Sequence, residues 1–179
     1  MEIALKNVTE THKGFELCRL NAQNFNKSKI DYFNCLLSAL PIDIICITKT
    51  WFNPHINVRF CEISGFNVVR HDRTYSTRGG DIAFYIKQNL NSKIVLKSGH
   101  DSIVEYLGVE ISGNNSKCLI MCVYNPHMCY RVDDVFSALD EISVAYENIV
   151  LCGDFNVDLL LNDHATYMKP TQFESEDLN

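Results

Sequence analysis

Two polar residues directly follow an apolar run late in the chain and are the best candidates for chemistry. Residues 148–156 read NIVLCGDFN, and positions 149–152 are apolar without alternation. Such a run predicts a strand covered on both faces. We expect Gly153 to end this strand and to free the backbone to turn, so that Asp154 and Asn156 project the same way into a cleft. A hard cation and a phosphate could bind there.

Length and composition indicate one compact domain. The chain has 179 residues with 46% hydrophobic content, enough for a core that buries roughly 70% of the unfolded surface. The formal charge of -6 argues against tight, sequence-independent nucleic-acid binding by phosphate neutralisation. It does not exclude a phosphodiesterase, because a bound cation can set the local field.

Cysteine usage predicts a reducing environment. Eight cysteines are present, and reduced, buried thiols are expected for the five in apolar, strand-like runs: Cys18, Cys46, Cys118, Cys122 and Cys152. No apolar segment typical of a signal peptide opens the chain, and no stretch approaches the ~20 residues of a membrane span. We therefore expect an intracellular location, in the cytoplasm or the nucleus, and no membrane partner.

Strand and helix signals alternate along the chain. An amphipathic helix at 28–40 should end at Pro41, and Asp133 or Asp134 should cap a second helix. Turn residues between two extended runs predict a β-hairpin. The predicted strands are 15–20, 42–48, 66–70, 81–87, the hairpin strands 103–111 and 117–124, and the strand ending at Gly153. Residues 1–161 should form the domain, and the polar, acidic stretch 162–179 should be a frayed tail.

Five blocks of the sequence, in this order, resemble the endonuclease/exonuclease/phosphatase family. They are LNAQNF, DIICITKTWF, HDRTYSTRGGDIAFYIK, LIMCVYNPH and NIVLCGDFNVDLL, and they cover about residues 15–160. The similarity is closest to the endonuclease domains of non-LTR retrotransposons. It implies a four-layer α/β sandwich, with two mixed sheets face to face and helices outside. It also implies Mg2+-dependent cleavage of phosphodiester or phosphomonoester bonds, with DNA as the ancestral substrate.

The resemblance also implies roles for individual residues. Asp154 would align or deprotonate the attacking water, and Asn156 would help to hold the phosphate. Tyr124 would contact the scissile phosphate, and Asn21 would lie near the metal. Glu105 falls at an acidic position of many family members.

The chain departs from the family pattern at three places. The family has Thr-Glu-Thr-Trp, whose glutamate binds the metal, where this chain has Thr48-Lys49-Thr50-Trp51. A protonated lysine has no lone pair with which to coordinate Mg2+. Its ammonium would also repel the ion, since two positive unit charges about 4 Å apart repel each other by ~4 kcal/mol at an effective dielectric of 20. The family motif Tyr-Arg-Pro-Pro reads Tyr124-Asn125-Pro126-His127 here, and no Ser-Asp-His motif follows Asn156. The resemblance therefore implies a domain that is incomplete at its C-terminus.

Each candidate also has a purely structural interpretation. Asp and Asn are common in turns, so Asp154 and Asn156 are consistent with a simple turn after a strand. Asn21 is consistent with a loop residue, Tyr124 with packing on the sheet, and Lys49 with a solvated strand end.

The best candidate for contacting a phosphate backbone is a basic cluster formed by Arg70, Arg73 and Arg78. Within it, Arg78 is the predicted substrate-binding residue. A solvated loop explains the cluster equally well. Two histidine pairs lack a full metal-ligand set at a recognised spacing: His127 with Cys129, and His71 with Asp72.

Two functions from different classes follow. The first is a Mg2+-dependent phosphodiesterase, a DNA-nicking endonuclease in which Asp154 directs water at phosphorus. The second is a catalytically inactive relic of a mobile element that retains only nucleic-acid or protein contacts. Lys49 and the missing C-terminal motif favour the second for this chain's own chemistry. A small-molecule phosphatase is a third alternative, because a fold does not determine its substrate. The sequence gives no indication of oligomeric state.

Overall fold

The computed structural model describes residues 14–73, 80–99, 102–113, 116–126 and 132–156. These ranges contain eight strands, two α-helices and a 3-10 helix at Val58–Cys61. The strands are β1 (Leu17–Asn21), β2 (Ile44–Thr48), β3 (Phe66–His71), β4 (Ile82–Lys87), β5 (Asn91–Lys97), β6 (Glu105–Gly113), β7 (Ser116–Tyr124) and β8 (Asn148–Asp154), and the helices are α1 (Lys27–Leu37) and α2 (Asp133–Ser143).

The strands form two mixed sheets of four strands each. Sheet A has the order β1-β2-β4-β3, in which β1 and β2 are parallel and β4 is antiparallel to both of its neighbours. Sheet B has the order β5-β6-β7-β8, in which the first three strands are antiparallel and β8 is parallel to β7. The carboxyl ends of β1 and β2 therefore lie together in one sheet, and those of β7 and β8 lie together in the other.

The apolar core lies in three layers that define a four-layer sandwich. The layer between the sheets is built from inward-facing residues of both sheets, including Ile44, Phe84, Leu107 and Ile120, all fully buried. The outer face of sheet A packs against α1, and the outer face of sheet B packs against α2. This arrangement confirms the predicted α/β sandwich with two mixed sheets.

Most predicted elements are present, with shifted ends. β1 runs to Asn21, so this asparagine ends a strand rather than opening a loop. Helix α1 begins after Asn26, whose side chain accepts a hydrogen bond from Lys29 N, and it ends at Leu37 rather than Leu40. The hairpin strand β6 begins at Glu105. Ile103, which the sequence pattern places at the start of this strand, precedes it in the structure and is 53% exposed.

β8 differs from the prediction in two respects. It continues through Gly153 to Asp154, so Gly153 does not end the strand. It is also not covered on both faces, because all of its residues are half-buried or exposed. The reason is its position at one edge of sheet B, where it pairs only with β7 among the described residues.

β5 has no counterpart among the predicted strands. Its residues, NSKIVLK, are about half polar and lie at the other edge of sheet B. An edge strand needs no continuous apolar face, so its sequence carries little strand signal.

All seven cysteines in the described ranges are free thiols. Of the five expected to be buried, Cys46 and Cys122 are buried and the other three are half-buried. No helix in these ranges is long and apolar enough to cross a membrane. The predicted tail at 162–179 lies outside the described residues.

Candidate active site

Asp154 lies at the carboxyl end of β8 and contacts the end of the opposite sheet. Its Oδ2 accepts a hydrogen bond of 2.7 Å from Asn21 Nδ2, at the end of β1. Asp154 also pairs in register with Tyr124, which pairs with Glu105, so these three residues lie side by side at one end of sheet B, where β7 and β8 end and β6 begins. The structure thus brings together residues from both sheets that are far apart in the sequence.

Lys49 forms an ion pair with Asp154. Lys49 Nζ lies 2.9 Å from Oδ2, the oxygen that also accepts the hydrogen bond from Asn21. Arg19 lies farther away, with its guanidinium 3.8 Å from Oδ1. The side chains of Lys49 and Asp154 are only 20% and 14% exposed, so Lys49 is not a solvated strand-end lysine.

The backbone after β2 holds Lys49 in an uncommon conformation. Lys49 and Trp51 have φ angles of +57° and +58°, in the left-handed region that residues other than glycine seldom adopt. Hydrogen bonds from Asn24 N to Lys49 O (2.9 Å) and from Phe25 N to Thr50 O (2.8 Å) fix the segment. Such strained residues persist only where the surroundings enforce them, and they cluster at functional sites.

Gly153 positions Asp154 by allowing β8 to approach β7 closely. Its φ of +143° disfavours any side chain, and a Cβ at this position would lie 1.9 Å from Val123 O. The glycine is therefore required within the strand, not after it.

Asn156 contacts the backbone that follows β7. It has a φ of +48°, and its Nδ2 donates a hydrogen bond of 2.5 Å to Asn125 O. Asn125 N in turn donates to Asp154 O at 2.9 Å. In this structure Asn156 fixes the turn beside Asp154.

Tyr124 lies close to two cations. Lys49 Nζ is 5.3 Å from the centre of its ring and Arg73 Cζ is 5.9 Å away, both within range of a cation–π interaction. Burial raises the pKa of Tyr124, although the two neighbouring cations oppose the shift. The phenol is therefore protonated at neutral pH and can donate a hydrogen bond.

A second ionic cluster, which contains Arg73, also lies next to Tyr124. The Arg73 guanidinium pairs with Glu105. Glu105 Oε2 accepts a hydrogen bond of 2.6 Å from Asp81 N, and Asp81 Oδ1 accepts one of 2.6 Å from Arg73 N. Burial raises the pKa of Glu105 and raises that of Asp81 to about 7.

The predicted basic cluster divides in the structure. Arg73 is part of the site, whereas Arg70 pairs with Asp72 and donates to the backbone oxygens of Asn53 and Ile56. Arg78 lies outside the described residues, so its contact with a phosphate stays a prediction. Sequence reasoning missed Arg19 and Asp81, although Asp81 belongs to the quoted block HDRTYSTRGGDIAFYIK.

The side chains around Asp154 do not fit a divalent cation. Mg2+ prefers several oxygen ligands, including at least one free carboxylate. Here the single carboxylate that faces Asn21 is already paired with an ammonium. Asn21 Oδ1 is buried and, within the described ranges, has no hydrogen-bond partner, which leaves one oxygen that could serve as a ligand. Those ranges contain no group of three or more His, Cys, Asp or Glu side chains arranged to hold a metal.

The sequence matches no protein-family model and has no significant match among curated proteins. The structure, in contrast, is similar to solved structures. The AP endonuclease LMAP from Leishmania major matches with a TM-score of 0.64 and 15% identity, over 80% of this chain and 55% of that one. An endonuclease/exonuclease/phosphatase family protein from Bacteroides thetaiotaomicron matches with a TM-score of 0.60 and 14% identity, over 86% of this chain and 68% of that one.

The chain has the endonuclease/exonuclease/phosphatase fold. The 3' phosphatase NExo from Neisseria, solved with a product DNA hairpin, shares this fold with a TM-score of 0.56 and 16% identity, over 80% of this chain and 58% of that one. The chain thus spans 55% of the length of the Leishmania enzyme and 58% of that of the Neisseria enzyme.

Proposed function

We propose that this chain is a domain of retrotransposon-endonuclease descent that has lost Mg2+-dependent hydrolysis of DNA phosphodiesters. The observation that carries the proposal is the ion pair of 2.9 Å between Lys49 and Asp154. The order of the five sequence blocks supports the descent, and the fold supports the reaction class. DNA is the proposed ancestral substrate, and Mg2+ the ancestral cofactor.

The ion pair acts against both chemical tasks of such a site. A hydrolase of this kind needs a cation to stabilise charge on the phosphate and a base to direct water. The Lys49 ammonium prevents a second cation from binding the same carboxylate oxygen, because like charges repel at short range. Lys49 and Asn21 also occupy Asp154 Oδ2, so this oxygen must break both contacts before it can accept a proton from water.

The test is nicking of supercoiled plasmid DNA. We expect the purified chain with Mg2+ to produce no more open circles than a sample without protein, and Asp154→Ala to behave identically. We also expect Lys49→Glu alone not to restore cleavage. The Ser-Asp-His motif and the arginine that the family places after its tyrosine are both absent from these 179 residues.

Mg2+-dependent nicking that persists in the unaltered chain and disappears in Asp154→Ala would overturn the proposal. An EDTA-treated sample controls for contaminating nucleases, and circular dichroism of both proteins confirms that they are folded.

A further inference from the structure

We propose that Cys152 and Cys122 form an oxidation site, at which hydrogen peroxide converts the two thiols into a disulfide that joins β8 to β7. Both thiols pack into the apolar layer between the two sheets, and neither belongs to the candidate active site. The inference is therefore independent of the proposed loss of hydrolysis.

The two thiols lie side by side on neighbouring parallel strands. Cys122 of β7 and Cys152 of β8 are partners in register, so their side chains point to the same face of sheet B. Adjacent strands are about 4.8 Å apart, which lies within the range of about 4.4 to 6.8 Å between Cα atoms that a disulfide requires. No other two cysteines on the described strands are opposite each other.

A third thiol contacts this pair from the opposite sheet. Cys46 of β2 is fully buried in the same layer, and the thiols of Cys46, Cys122 and Cys152 interact by hydrogen bonds. Three thiol groups in contact can hold one negative charge, because a thiolate accepts hydrogen bonds from its two neighbours. The hydrogen bonds from Cys122 and Cys46 lower the pKa of Cys152 well below its ordinary value against the effect of burial, and the positive charge of Arg19 lowers it further.

Exposure identifies Cys152 as the thiol that reacts with the oxidant. Cys46 and Cys122 are fully buried, whereas Cys152 is half-buried on β8, an edge strand of sheet B in the described part of the chain. Burial raises the pKa of Cys46, and the hydrogen bond to Cys152 raises that of Cys122. Because the thiolate is the nucleophile, Cys152 is oxidised first and Cys122 reacts second.

The chemistry takes two steps. The Cys152 thiolate attacks one oxygen of hydrogen peroxide, the O–O bond breaks, and the departing hydroxide takes up a proton to leave as water. The product is a sulfenic acid at Cys152. The sulfur of Cys122 then attacks the sulfur of Cys152, the S–O bond breaks, and the hydroxyl group leaves as water with the thiol proton of Cys122. The two sulfur atoms together lose two electrons, and the peroxide gains them.

The experiment treats the reduced chain with hydrogen peroxide at neutral pH, blocks the remaining thiols with iodoacetamide and maps the products by peptide mass spectrometry. We expect two peptides joined through Cys122 and Cys152, located by fragmentation and separated again by dithiothreitol. Cys152 should also be oxidised at least about 10-fold faster than Cys118, a half-buried thiol on β7 whose pKa is raised by burial, because only a few per cent of an ordinary thiol is ionised at this pH.

Two variants of β7 identify the partner thiol. Cys122→Ala should slow the oxidation of Cys152 on the order of 10-fold, because it removes a hydrogen-bond donor to the thiolate. Cys118→Ala is the matched control and should leave the rate unchanged, since Cys118 packs into the same layer but is opposite Asn148. Circular dichroism confirms that both variants are folded.

Three results would overturn the inference. They are a disulfide from Cys152 to a cysteine other than Cys122, oxidation of Cys152 no faster than that of Cys118, and an equal rate in Cys122→Ala and Cys118→Ala. Should Cys122→Ala not fold, the first two measurements, which use the unaltered chain, decide.

Discussion

Asp81 is a carboxyl group whose ionised form is disfavoured by the fold. It is only 4% exposed, and its main-chain N–H donates to the carboxylate of Glu105. Burial raises its pKa from 3.8 to about 7, and the nearby carboxylates of Glu105 and Asp72 add to this effect. The hydrogen bond from Arg73 N and the charge of Arg73 oppose it. Asp81 therefore holds a proton in the folded chain that it loses in the unfolded chain.

The resulting linkage predicts how stability depends on pH. Between about pH 4 and pH 7 the folded state binds more protons than the unfolded state, so Asp81 makes stability fall as the pH rises, by up to ~1.4 kcal/mol per pH unit. Asp81→Asn removes this dependence. It keeps the Oδ1 acceptor, and asparagine tolerates the φ of +71° at this position.

We expect Asp81→Asn to gain stability relative to the unaltered chain as the pH rises from 4.5 to 7.5, measured by urea denaturation. Ser28→Ala, on the exposed surface of α1, adds and removes no ionisable group, so it is the control and should leave the shape of the profile unchanged. A constant difference between Asp81→Asn and the unaltered chain at every pH would show that Asp81 is ionised throughout.

The neighbours of Asp154 could be predicted only in part. The block order placed Asn21 and Lys49 in one site with Asp154, and the structure brings these three side chains into contact. The pairing of Arg73 with Glu105 was not predictable. It depends on how two sheets pack, and the pattern of apolar residues along each strand contains no information about which charged side chains meet across the interface.

At the scale of the elements, Gly153 of β8 shows that a glycine in the sequence can mark either the end of a strand or a close contact within it. Gly153 follows four apolar residues and precedes two turn-forming residues, a pattern that is typical of a strand end. The structure extends the strand, because Gly153 allows close contact with Val123 of β7. Only the spacing between the strands reveals this requirement. β5 could not be predicted for a similar reason. Its sequence is about half polar, and it becomes a strand because it pairs with β6 at the edge of sheet B.

Gly153→Ala should strongly destabilise the fold. The new Cβ would overlap Val123 O at 1.9 Å, a main-chain atom that cannot move without disturbing the β7–β8 ladder. The left-handed φ adds strain. We expect a loss of at least about 3 kcal/mol in the free energy of unfolding, measured by urea denaturation. Gly113→Ala is the matched control, since a Cβ there meets nothing within 4 Å. Equal stability of the two variants would contradict the role given to Gly153.

The two edges of sheet B differ in how they are protected against pairing with another molecule. β5 carries Lys93 and Lys97 and has a register shift between Ile94 and Leu96, and both features discourage further strand pairing. β8 carries neither basic residues nor a register shift along its pairing with β7. Apolar side chains are also exposed nearby, with Ile149 at 37% and Val144 at 91%. Of the two edges of sheet B in the described part of the chain, β8 is therefore the one more prone to association.

We expect the 179-residue chain to associate as its concentration rises, as measured by sedimentation velocity. A lysine at the β8 edge should oppose this association, because its charge must be desolvated when two edges meet. Ile149→Lys should thus shift the distribution towards the monomer. Ile94→Lys is the matched control, since Ile94 is 49% exposed on β5 and should change the distribution little. A monomer at all concentrations, or an equal effect of both lysines, would show that β8 is not the associating edge.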